Sequence, residues 1–269
     1  MGNVTLDDVK DHYRKTHFPE NMSFIVAGRM RGRKMKLKKL LSDMPLPKNK
    51  PFEGDRFEIP LEVPERFSEP LFIENTTVPN AYFYIDTYKK DELTNSEIYA
   101  LGLLGTMLTD TLYSKILGEA REKGLIYYLS SSYYRTRGHS SWWFGSQVSE
   151  KQLMPFLDIF VHELQNVRVG KIKQSDIESA KMYQIGGHQR SAQTVNSLVN
   201  GYSGLYFYNG KVDDYYTKFP EKVKHITKEE MVAVANTMFA ENVWGIGFLG
   251  SITDLARAKA HDKLSELWS

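Results

Sequence analysis

Two distant stretches of 24 residues share one pattern, and that pattern constrains the fold more than any other feature of the chain. They read TLDDVKDHYRKTHFPENMSFIVAG, from Thr5 to Gly28, and TKEEMVAVANTMFAENVWGIGFLG, from Thr227 to Gly250. Each opens on a threonine followed by an acidic pair, with Asp8 or Glu230 in the position that closes a helix capping box. Each then runs through a helical stretch to a phenylalanine, an asparagine and a strand ending in glycine. The two are equivalent helix-strand endings of a repeated unit. If Thr227 to Gly250 closes one unit, Thr5 to Gly28 closes an earlier one, whose opening, on the order of 100 residues or more by analogy, is expected to precede the chain. A chain cut in that way can leave part of its chemistry behind.

At 269 residues and 41% hydrophobic content, the sequence can bury a sizeable core. No window approaches the ~18 apolar residues of a membrane span, and the charged start MGNVTLDDVKDHYRK does not read as a secretory signal. The absence of cysteine excludes disulfides, thiolate metal sites and a cysteine nucleophile. It fits a reducing compartment, and the cytoplasm is the expected location. The net charge of +2 hides an asymmetry, because Arg29 to Lys50 carries nine Lys/Arg against Asp43 alone. Such a run could meet nucleic acid or acidic lipid, but it lacks interleaved aromatics and reads as a solvated helix face with an apolar edge at Met35, Leu37, Leu40 and Leu41. Neither nucleic acid nor membrane is expected as a partner.

A proline-rich connector from Pro45 to Pro70 marks the domain boundary. We expect residues 1–50 to be the closing helix-strand-helix of a truncated unit plus connector, and 51–269 to be a complete α+β unit. Strands are expected at Pro70 to Thr76 and at Pro79 to Tyr88, where Ala81, Phe83 and Ile85 alternate with Tyr82, Tyr84 and Asp86. A helix capped by Thr94 and Glu97 follows, with a stripe at Ile98, Leu101, Leu104, Leu108 and Leu112. Leu125 to Tyr134 and Ser141 to Val148 read as an antiparallel pair around RTRGHS, with Trp142 and Phe144 on one face and Trp143 on the other. Leu153, Phe156, Leu157, Phe160, Val161 and Leu164 lay one helical face on the sheet. Ser175 and Glu178 suggest another capped helix, interrupted near Gly186-Gly187, and Val195 to Tyr206 a further one. The order predicts an α+β fold with helices layered on a largely antiparallel or mixed sheet.

Self-contained catalytic chemistry is not visible. None of the seven histidines pairs with another at the spacing of four that a helical zinc site uses. His162-Glu163 comes nearest, but Asn166 stands where the second ligand would be, so both belong to a polar helix face. GYSGLYFYNG, from Gly201 to Gly210, lacks the Lys-Ser/Thr ending of a phosphate loop, and no Gly-x-Ser-x-Gly elbow occurs. What remains is GEAREKGLIYYLSSS, from Gly118 to Ser132, where Arg121 and a tyrosine could converge from a helix end and a strand start. A guanidinium holds a carbonyl or carboxylate and a phenol donates to an oxyanion, which would suit peptide binding. Dipole matching at a helix C-terminus and half-buried strand packing account for the same residues without any ligand.

The phrase LYSKILGEAREKGLIYYLSS resembles the "S-R-L-x-x-x-L-R-E-K-x-G-L-A-Y" signature of the pitrilysin/insulinase family of zinc metallopeptidases, which includes the mitochondrial processing peptidases. Ser114, Lys115 and Ile116 stand in the first triplet, and Arg121, Glu122 and Lys123 in the second. Thr5 to Gly28 is similar to the family's "edl..f....Y.P.N..l.v.G" block, and KQSDIESAKMYQIGGHQRSAQT to its "t..El..ak..l.....e.." helix. The resemblance covers nearly the whole chain. It implies repeated α+β units around a chamber, zinc ligands and a catalytic glutamate on an H-x-x-E-H motif in a first unit, and an Arg and a Tyr in a later unit that grip the peptide. By that resemblance this chain is the non-zinc portion: it has no catalytic or metal-binding residue of its own, zinc is expected in a missing or partner unit, and Arg121 with Tyr127 or Tyr128 binds substrate. The signature's loop is one residue shorter here, because Gly124 follows Lys123 directly. Tyr127 follows Gly-Leu-x, whereas a count of seven from Arg121 reaches Tyr128. Implied partners are an extended peptide and a zinc-bearing unit, assembled as a dimer of halves. The implied function is the substrate-contacting half of a peptidase, inactive alone; a catalytically silent assembly subunit of the same fold is the alternative.

Overall fold

The computed structural model describes residues 4–46, 63–136, 138–209 and 215–269. The chain divides into two compact units, Met1–Ile59 with Gln189–Tyr215 and Pro60–His188 with Tyr216–Ser269.

In the larger unit, five strands form one mixed sheet: β1 (Leu71–Glu74), β2 (Ala81–Lys89), β3 (Ser130–Thr136), β4 (His139–Val148) and β5 (Trp244–Gly250), in the order β1-β5-β2-β4-β3. Only the β1 and β5 pair is parallel. The predicted alternation along β2 is present, with Ala81, Phe83, Ile85 and Thr87 buried and the residues between them more exposed. Register carries that face across the sheet: Ile85 stands opposite Phe144 and Ile246, and Thr87 opposite Trp142 and Trp244. All of these are buried and form one floor for the helices.

Helices cover that floor. The helix at Asn95–Leu108 starts at the predicted box, where Thr94 accepts from the Glu97 amide and Glu97 accepts from the Thr94 amide. Its residues from Ala100 to Leu108 are all buried, so it packs on every side. Leu112, expected on its stripe, lies beyond its end and is exposed. The helix at Glu150–Arg168 buries all six predicted positions, and Phe156 packs on Phe83 while Phe160 meets Phe144 edge-on. The helix at Lys228–Met238 lays Met231, Val234, Ala235 and Met238 inward, and the one at Asp254–Ser265 leads into Trp268, whose ring stacks on Trp244.

Further expectations need correction. The chain from Leu125 to Leu129 is not strand, because β3 starts only at Ser130. Local turn structure after the helix at Lys115–Glu122, with Gly124 in the left-handed region, consumes those residues first. The helix at Gln174–Ser191 passes through Gly186-Gly187 without a break, and Ser175 sits inside its first turn. Paired glycines weaken a helix by about 1 kcal/mol each, which packing of Ile177, Ala180, Lys181 and His188 outweighs. The helix at Tyr215–His225 was not anticipated, its pattern being obscured by Pro220.

The smaller unit holds helices at Leu6–Thr16, Lys34–Ser42 and Val195–Asn209. The predicted box at Thr5 and Asp8 is formed. The basic helix has no buried residue; Met35 and Leu40 are exposed. Most of the connector expected from Pro45 to Pro70 lies outside the described residues. Among the described residues no helix is long and apolar enough to cross a membrane.

Candidate functional site

The face of the sheet opposite the buried floor is the more exposed one along β2. It presents Tyr82, Tyr84, Asp86 and Tyr88 from β2, Trp143 and Gln147 from β4, Tyr134 from β3, and Gly245 and Gly247 from β5. The aromatic clustering follows from the period of two along strands whose alternate positions are committed to the core. Tyr84 and Trp143 are in ring contact, with centroids 6.0 Å apart. A cavity of about 710 Å³ opens on this face, walled by Phe67, Tyr84, Tyr88, Tyr134 and His139, with Asp86 in its lining. Phe67 is held over the sheet by its amide, which donates to the Trp244 carbonyl at 3.1 Å, and a side chain at Gly245 would collide with its ring.

Electrostatics single out Asp86. Burial pushes its carboxyl up to about 6, offset in part by a hydrogen bond from Tyr88. Burial first and the Asp86 charge second push the Tyr88 phenol up to about 12. Among the described residues, Asp86 Oδ1 and Ser141 Oγ are buried without a hydrogen-bond partner, and both lie on the open face. A carboxyl that lines the cavity yet keeps one buried oxygen without a partner is only half provided for by the protein.

The residues predicted from sequence lie at the start of the β3 arm. Arg121 and Tyr127 do come together: Arg121 Nη1 donates to the Tyr127 carbonyl at 2.8 Å, and the guanidinium sits 4.4 Å above the Tyr127 ring. Both remain exposed, Tyr127 at 75%. Tyr128 is 40% exposed, its carbonyl accepts from Ser146 Oγ, and its phenol is pushed up by burial and by the neighbouring Tyr82 and Tyr84. Neither tyrosine lies in a strand, since β3 starts only at Ser130. Asp86, the most perturbed carboxyl on the open face, was missed as a site residue. Its signal was present, as the one acid among the tyrosines on that side of β2.

The donor set does not fit zinc. His162 Nε2 is 3.0 Å from Asn166 Nδ2 and 4.0 Å from Glu163, on an exposed helix side. Among the described residues no group of three or more His, Asp or Glu is placed to hold a metal ion.

Residues 3–183 match the model of the peptidase M16 inactive domain, well over half of the chain, and the protein belongs to that family, as the resemblance to pitrilysin-like peptidases implied. A protease from Helicobacter pylori is 18% identical, with a TM-score of 0.73, over 93% of this chain and 60% of that one. The peptidase M16 inactive domain from Pseudomonas fluorescens is 19% identical, with a TM-score of 0.70, over 93% of this chain and 58% of that one. A chain of complex III2 from Candida albicans is 14% identical, with a TM-score of 0.60, over 74% of this chain and 49% of that one. The chain thus spans between about half and three-fifths of these structures. Among curated proteins none matches the sequence significantly.

Proposed function

We propose that this chain is the non-catalytic, substrate-contacting half of a pitrilysin-like zinc metallopeptidase, binding extended peptide for hydrolysis by a zinc-bearing unit in the same protein or in a partner. The observation that carries this reading is the aromatic sheet face with its cavity of about 710 Å³, beside which no group of three or more His, Asp or Glu among the described residues could hold a metal ion. Tyrosine and tryptophan rings give sequence-tolerant contact to a peptide at low entropic cost, and a strand edge can add its backbone. Arg121, oriented by Tyr127, and the Tyr128 phenol beside Tyr82 and Tyr84 would position carbonyls of that peptide. Assembly as a dimer of halves and a cytoplasmic location, consistent with a chain free of cysteine, complete the reading.

The test mixes the chain with a zinc-bearing M16 unit and follows cleavage of a fluorogenic peptide. Cleavage should need both components and fall at least about tenfold with Arg121→Ala and with whichever of Tyr127→Phe and Tyr128→Phe removes the phenol that reaches the peptide, a loss expected when a transition-state donor is removed. If none of the three substitutions matters, the residues are misassigned. Proteolysis by the isolated chain, or a tightly held stoichiometric zinc in it, would end the reading altogether.

A second reading, a catalytically silent assembly subunit, is favoured by one observation: Arg121 already spends its guanidinium on the Tyr127 carbonyl and ring. The similarity to a chain of complex III2 agrees with it. A mixture that binds its partner tightly but leaves peptide cleavage unchanged would select this alternative.

A further inference from the structure

Asp86 is out of place if the open face only packs. The outward positions of β2 read Tyr82, Tyr84, Asp86, Tyr88, so one acid interrupts an aromatic run. Its Oδ1 makes no hydrogen bond among the described residues, and no described Lys or Arg pairs with it. Removing a carboxylate from water without a counter-charge is costly, and that cost is relieved when a cation arrives with its own hydrogen bonds. The walls decide which cation. Phe67, Tyr84, Tyr88 and Tyr134 present rings, whose electron-rich faces attract a cation and whose carbon surface suits an aliphatic stem. Glu65, also in the lining, adds negative charge and disfavours an anion. A bare divalent ion would need several converging oxygens, and among the described residues no such group exists.

We propose that Asp86 receives the ammonium or guanidinium of a lysine or arginine side chain on a bound extended peptide, with Tyr84, Tyr88 and Phe67 walling its stem. The inference rests on the peptide-binding reading above and sharpens it to basic peptides. Tyr84 and Tyr82 lie two and four residues along β2 from Asp86, roughly 7 and 13 Å away. A peptide of a few residues can therefore reach both the Tyr128 cluster and the acid. The titratable groups around Asp86 are Glu65, Tyr84, Tyr88, Tyr134 and His139. As pH falls through about 6, Asp86 takes a proton and its pull on a cation is lost.

The experiment uses the full chain and fluorescence anisotropy with three labelled, unstructured decapeptides that differ at one central residue: lysine, norleucine or glutamate. At pH 7.5 the lysine peptide should bind at least about tenfold more tightly than the norleucine peptide, a difference typical of a desolvated charge-assisted contact. The preference should shrink to within about twofold at pH 5 and in the near-isosteric Asp86→Asn. The lysine-against-norleucine comparison on the unaltered chain needs no variant, so a folding defect cannot hide the answer. Equal binding of all three peptides, or a lysine preference that survives Asp86→Asn, overturns the assignment and leaves peptide binding standing. Silence from all three at concentrations up to about 1 mM removes the peptide-binding reading and this inference with it.

Discussion

The segments Thr5 to Gly28 and Thr227 to Gly250 start alike and end in different physical states. Both helices are capped by the same reciprocal box, Thr5 with Asp8 and Thr227 with Glu230. Both segments finish on a glycine with nearly the same unusual backbone, φ 140° at Gly28 and 134° at Gly250. In the second copy the helix buries four residues, and the following chain becomes β5, clamped between β1 and β2. In the first copy the helix buries none, and the chain from Met22 to Gly28 joins no ladder among the described residues. Phe24 and Val26 are 46% and 47% exposed, where their counterparts Ile246 and Phe248 are 1% and 3%. Caps and terminal glycines are decided within a few residues, whereas a strand exists only where neighbours accept its backbone.

The sharpest way to break this comparison is to truncate a side chain in each of the two apolar tails. Phe248→Ala should cost about 3–5 kcal/mol in a denaturant titration, and Val26→Ala under about 0.5 kcal/mol. Equal losses would mean that both copies are equally packed. Next come the glycines. Alanine at either position is strained by its φ, about 1–2 kcal/mol. At Gly250 the new methyl would also meet the Asn80 carbonyl oxygen at 2.8 Å, while at Gly28 nothing lies within 4 Å. Gly250→Ala should therefore lose about 1–3 kcal/mol more than Gly28→Ala.

The presence of β5 also explains Asp86, which faces Gly245 across the ladder beneath Phe67. Its folded carboxyl titrates near 6 against an ordinary 3.8, so the folded state holds its proton more firmly. The associated stability is complete below the ordinary value and is lost as pH rises through about 6. Asp86→Asn should stabilise the chain above pH 6, by about 1–2 kcal/mol after allowing for its remaining solvent exposure, with the gain fading by about pH 4. Thermal melts at several pH values measure this. A variant no more stable at pH 7.5 than at pH 4, relative to wild type, would refute the sign.

The smallest effects should fall on the shared caps. Thr227→Ala and Thr5→Ala each remove one box, worth about 1 kcal/mol. The first should move the global transition and the second only the local hydrogen exchange of its own helix, because no buried side chain ties that helix to a core.

Much of the fold could be read in advance where a local period answers to one burying surface. The alternation from Ala81 to Tyr88, the split of Trp142 and Phe144 from Trp143, and the six apolar positions of the Glu150–Arg168 helix all hold. The misreadings arise where packing outweighs local preference, as at Gly186-Gly187, or where turn chemistry claims residues of strand-like composition, as from Leu125 to Leu129. The site was half legible. Arg121 and Tyr127 are six residues apart and their meeting follows from a helix end and a turn, but the state of Asp86 depends on Phe67, Tyr88 and Gly245, which the sheet gathers from remote parts of the chain.

By itself the sequence determined the helix starts at Thr5, Thr94 and Thr227 and the two-faced strands, each carried by residues within a short window, and the membership of the M16 inactive-domain family, carried by motifs in order along residues 3–183. Only the tertiary structure decided which of two matching tails becomes a buried strand and which tyrosine-lined acid loses its water. Both depend on hydrogen-bond partners and desolvating neighbours such as Leu71, Tyr84 and Phe67, whose approach no local pattern encodes.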